Sequence, residues 1–156
     1  MPPATVFRSR HHPGTAPWSL VFARSLVTPL ATCSLPVMVV GLVAALEGLP
    51  LLPYLFVGFA GAVLAAFVWT SLHLRTVIGE VHVGESGVGL RSVYACTRPD
   101  APVVEQPLYD LRKTRTSIIL GVGDRMVEMA DEDWPEPDAL LDALQRLLHR
   151  QRSLPS

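Results

Sequence analysis

Two uncharged apolar runs constrain this chain more than anything else in it. Residues 25–46 carry no charge and neither do residues 48–72; the single acid Glu47 lies between them. A helix needs about 20 apolar residues to cross a hydrocarbon core about 30 Å thick, and both runs reach that length. A small soluble domain cannot wrap two adjacent helices that are apolar on every side. The runs therefore predict a transmembrane α-helical hairpin within residues 25–73, with spans at about 26–46 and 51–72. The second run holds eleven Leu, Val and Phe between Leu51 and Leu72, which at about −0.3 to −0.6 kcal/mol each favour insertion by several kcal/mol. Pro29 and Pro36 interrupt the first run, and Glu47, Gly48, Pro50 and Pro53 mark the turn.

The charges divide at the end of the second run. Of the 14 acids, all but Glu47 lie beyond Arg75, against nine of the 13 bases. The part after the hairpin is thus acidic, which argues against nucleic acid as a partner. Arg8, Arg10 and Arg24 precede the first span, Arg75 follows the second, and the turn has no base. By the positive-inside rule both termini are expected in the cytoplasm, with Trp18 and Trp69 at the interface on that side and Tyr54 at the other. Lys appears once, at Lys113, beside an abundance of Arg and Pro; this is the usage of a GC-rich bacterial genome, so the expected membrane is the inner one. Residues 1–24 read as a disordered basic tail.

Small residues recur four apart on both spans: Gly41 and Ala45 on the first, Gly58 with Ala62 and Gly61 with Ala65 on the second. Such faces let helix backbones approach. They predict packing of the two spans on each other, with a homo-oligomer through the same face as the competing use.

About 75 residues remain for one soluble domain, near the lower limit for an unaided core. Residues 76–152 read as a small α+β unit. Strands are expected at 76–83, 88–95, 103–111 (broken by Pro107), 114–122 and 126–130, with turns at 84–87 and 121–125. A closing helix follows, with Leu140, Leu141, Leu144, Leu147 and Leu148 on one stripe. Acids at its start and bases at its end suit the helix dipole. The stripe is expected to cover the open face of an antiparallel sheet.

Three segments carry a resemblance: ESGVGL at 85–90, QPLYDLR at 106–112 and SIILGVGDRMVEM at 117–129, followed by the helix. Their order resembles that of the bacterial PH-like domains that follow a two-helix membrane hairpin, the YcxB-like group among them. The resemblance covers about half the chain and implies a membrane-anchored, non-enzymatic binding or scaffold module. About five strands are read here where that fold has seven, so a partial barrel or an α+β roll is expected. Phosphoinositide binding is not carried over, because the first hairpin holds Glu85 and only Arg91 nearby.

The remaining candidates are sparse. Arg112, Lys113 and Arg115 form the one basic cluster; they could touch lipid headgroups or a partner, but charges on a strand edge also discourage edge pairing. His11 and His12 are adjacent without a third ligand, His82 and His149 are isolated, and Cys96 has no second Cys or His close in sequence. The run 131–133 is acidic but lacks the spacing of a calcium loop. No phosphate loop, zinc spacing or nucleophile elbow appears, so neither enzymatic activity nor a cofactor or metal is expected. The expected partners are the bilayer and another membrane or cytosolic protein. An accessory subunit of a larger transport or enzyme complex is the alternative to a scaffold.

Overall fold

In a computed structural model the chain is described over residues 4–98, 100 and 102–153. It divides into two compact units. One is Ala16–Arg75; the other takes the residues before Ala16 together with those from Thr76 on.

The first unit is a helical hairpin. Helix α1 spans Trp18–Leu46 and α2 spans Leu51–Thr76. At 1.5 Å per residue they are about 43 and 39 Å long, and both are long and apolar enough to cross a membrane. α1 runs through Pro29 and Pro36 without ending. It stops where Gly48 turns to φ +70°. The Gly48 N–H then bonds Ala45 O at 3.3 Å and the Leu49 N–H bonds Ala44 O at 2.9 Å, the paired bonds of a Schellman cap.

The helices meet through small residues. A Cβ on Gly41 would lie 2.8 Å from Leu55 Cδ2, and one on Gly58 would lie 2.6 Å from Val37 Cγ1. Ala44, Ala62 and Ala66 are buried on the same seam, and Phe22 meets Phe67 with ring centroids 4.5 Å apart. Of the small residues expected to pack, Gly41, Gly58 and Ala62 do so, whereas Ala45, Gly61 and Ala65 are exposed. Four-residue spacing alone could not separate the two stripes, because Gly58–Ala62 and Gly61–Ala65 have the same spacing on neighbouring faces. Most large apolar side chains point outward; Leu52 is 82 % and Phe56 76 % exposed. Only 11 % of the apolar stretch of each helix is buried, whereas a core helix of a water-soluble fold is mostly buried.

Among the described residues, the second unit is an antiparallel domain of seven strands, two α-helices and one 3-10 turn. Strands β1 (Thr5–Arg8), β2 (Ile78–Val83), β3 (Val88–Ser92) and β4 (Glu105–Gln106) form one sheet in that order. Strands β5 (Leu108–Lys113), β6 (Ser117–Val122) and β7 (Arg125–Ala130) form the other. A single turn, α3 (Val93–Cys96), follows β3, and α4 (Pro137–Ser153) ends the described chain.

Two expectations are corrected here. The sheet is not one layer of five strands but four plus three. Part of the difference is Pro107: it lacks an N–H for a ladder, and the chain changes sheet there, so one expected strand is two. The rest comes from the tail. Residues 1–24 are not a disordered segment throughout, since Thr5–Arg8 is β1, paired antiparallel with β2 from Thr5↔Val83 to Arg8↔Glu80, and α1 begins at Trp18. The helical hairpin is thus an insertion between two paired strands of one sheet.

The core is shared by both sheets and α4. Val81 and Val88 from the first sheet, Leu108, Ile118, Leu120, Val122 and Met129 from the second, and Trp134 meet Leu140, Leu144 and Leu147. The expected leucine stripe packs as read, with Leu141 and Leu148 partly buried at its border. Asp138 lies in the first turn of α4, and Arg150 and Arg152 in the last.

Candidate functional site

Strand alternation sends Val81 into the core and Glu80 and His82 to the opposite face. Glu80 stands in a cross-strand row, opposite Arg8 on β1 and Arg91 on β3. The register slips between Ile78 and Glu80, leaving Gly79 as the extra residue of a bulge, a device that re-aims neighbouring side chains. A Cβ on Gly79 would lie 2.8 Å from Cys96 Sγ and 3.3 Å from Val93 Cα. Glycine there lets α3 close over the strand. The Ser92 side chain accepts from the Ala95 N–H and caps that turn.

The Glu80 carboxylate is 7 % exposed and receives four side chains. His12 Nε2 lies 2.8 Å and Arg8 Nε 3.3 Å from Oε1; His82 Nε2 lies 3.2 Å and Arg91 Nη1 3.4 Å from Oε2. Burial alone would raise the Glu80 pKa. Hydrogen bonds from His82 and His12, with the charge those rings can carry, outweigh burial and hold the carboxyl below its ordinary value. The second Arg91 nitrogen is taken up by the carbonyls of Ala95 at 2.8 Å and Arg98 at 2.6 Å, so Arg91 ties α3 to the sheet. His12 is held by its other nitrogen, which accepts the Gly14 N–H at 2.9 Å.

Cys96 completes the cluster. A donor atom from each of His12, Glu80 and Cys96 falls within 4.8 Å of the other two. Burial, reinforced by the nearby Glu80 charge, pushes the Cys96 thiol up to about 11. Both cysteines are free. His, carboxylate and thiol converging in this way can hold either a network of protons or a transition-metal ion.

Sequence reasoning named His12, His82 and Cys96 separately and assigned none of them a role, and it did not single out Glu80. His12 and Glu80 are 68 residues apart, with the whole hairpin between them. The one local signal is the alternation Glu80-x-His82 on a strand.

The basic cluster expected to contact lipid or a partner is largely occupied by acids. Arg112 Nε lies 2.9 Å from Asp110, Lys113 is paired with Asp131, and Arg115 borders a depression lined by Glu128, Asp131, Glu132 and Asp133. The acidic run 131–133 is a single 3-10 turn, and Asp133 also binds His11 at 2.8 Å.

No family model, curated protein or solved structure matches this chain.

Proposed function

We propose that this chain is a two-pass inner-membrane protein whose cytosolic domain has the PH-like architecture and serves as a non-enzymatic binding module. One observation carries the reading: a helical hairpin of membrane-spanning length and apolarity is inserted between two paired strands of a small sheet domain. Because β1 and β2 pair, both ends of the hairpin leave from the same sheet, and a hairpin that crosses the bilayer twice returns to the side it left. Arg8, Arg10, Arg24 and Arg75 flank those ends, and the turn has no Lys or Arg, which favours the cytosolic side for the domain. Four strands plus three, closed by a C-terminal helix, support the PH-like reading better than the five strands legible in sequence.

The experiment uses photo-crosslinking residues placed singly in the full chain in native membranes. One set replaces Tyr109 or Val104, both exposed on the sheet domain; the other replaces Leu64, exposed on α2. A binding module captures its partner from the first set and not from the second. Capture from Leu64 alone would overturn the reading in favour of a subunit held in a complex through its helices.

A further inference from the structure

We propose that His12, Glu80 and Cys96 form a zinc site, with His82 beside it, that fastens the segment between β1 and α1 to the sheet. The donor set is one that zinc takes: an imidazole nitrogen, a carboxylate oxygen and a thiolate. The three ligands come from three separate elements, the segment after β1, strand β2 and the turn α3, so their convergence is a product of the fold and not of one local run.

Bond lengths of about 2.0 to 2.3 Å place the donors of a tetrahedral zinc about 3.3 to 3.8 Å apart. The donor atoms here lie within 4.8 Å of one another. His12 Nε2 and Glu80 Oε1, now hydrogen-bonded at 2.8 Å, need to part by only about half an ångström to reach that spacing. Water takes the fourth position, and His82 Nε2, 3.2 Å from Glu80 Oε2, steadies the carboxylate oxygen that faces away from His12.

Binding replaces protons. Cys96 releases its thiol proton to solvent, and the His12 proton moves from Nε2 to Nδ1, so the Gly14 N–H that now bonds Nδ1 turns to water. The two guanidinium groups are arranged to tolerate the ion. Arg8 is 67 % exposed and free to swing outward, while Arg91 is already engaged by the Ala95 and Arg98 carbonyls and holds the turn that presents Cys96. The bulge glycine Gly79, which leaves room for the sulfur, is the second device the site needs.

The test uses full-length protein in detergent, stripped with a chelator, in a Cys33→Ser background so that Cys96 is the one thiol left. Cobalt is added first as an optical probe. The expected result is a thiolate-to-cobalt charge-transfer band with the strong visible absorption of a tetrahedral ion, and its displacement by equimolar zinc. Cys96→Ser abolishes the band, and His12→Gln weakens zinc by about ten-fold or more, since even an outer partner of a ligand is worth that much. His11→Gln leaves both unchanged. Far-UV circular dichroism checks that each variant is folded. If Cys96→Ser unfolds the domain, Gly79→Ala serves instead, with the band weakened or lost. No charge-transfer band in the folded parent protein, or zinc binding indifferent to His12→Gln, would overturn the site and leave a proton-bonded network around Glu80.

Discussion

Leu64 of α2 and Leu144 of α4 are the same side chain on the same kind of element, yet the first is 68 % exposed and the second fully buried. The difference lies in the neighbours. α4 places its leucines on one stripe that faces two sheets, whereas most large apolar side chains of the hairpin helices are exposed and the helices meet mainly through small residues. The comparison teaches that apolar content by itself does not say where a residue's partner is. In the sheet domain the apolar face is matched by protein; in the hairpin it is left exposed, and in the proposed membrane setting lipid would match it.

The comparison can be broken most severely at α4. Leu144→Asp puts a charge among Val81, Leu108 and Ile118 and is expected to cost more than about 4 kcal/mol, unfolding the sheet domain. The near-ultraviolet dichroism of buried Trp134 reports it, and an unchanged melting curve would contradict the packing. The matching change on the hairpin, Leu64→Asp, should leave that signal intact and instead oppose insertion by about 3 kcal/mol. Carbonate extraction of the expressed protein reads this as a larger soluble fraction.

A finer contrast lies within α2. Gly58→Val collides with Val37 and should destabilise the hairpin by about 1 to 3 kcal/mol, measured by thermal melting in detergent. Gly61→Val meets nothing within 4 Å and should melt like the parent. Equal effects of the two would place the packed seam elsewhere.

The smallest expected effect concerns pH. Glu80 faces Arg8, His12, His82, Arg91 and Cys96, and its carboxyl sits below the ordinary value in the fold. Its contribution to stability is therefore fully present above the unfolded carboxylate range of about 4.3 and is lost as pH falls through the lower folded value. In chelator-treated protein, the melting temperature of the parent should fall more steeply on acidification than that of Glu80→Gln; parallel curves would remove Glu80 from the acid response.

The same contrast explains what could be read from sequence. The hairpin and the α4 stripe are legible because their signals are local and repeated: runs without charge, and leucines at helical spacing. β1 is not, since Thr5–Arg8 is four residues with a partner more than 70 residues away. Pro107 announced a break but not that the chain would change sheets there. The Glu80 cluster is the extreme case, because His12 meets Glu80 only once β1 and β2 have closed around the inserted hairpin.

That closure is the central claim, and disulfide trapping in carbonate-washed membranes tests it most directly. Thr5→Cys and Val83→Cys are introduced together, with Cys33 and Cys96 changed to serine, at a pair the register places opposite one another. The expected result is rapid formation of an intramolecular disulfide in chains that stay in the membrane pellet, and none for Thr5→Cys paired with Leu49→Cys at the helical turn. Failure of the first pair to form, or its formation only in chains released by the wash, would contradict a membrane hairpin set between paired strands.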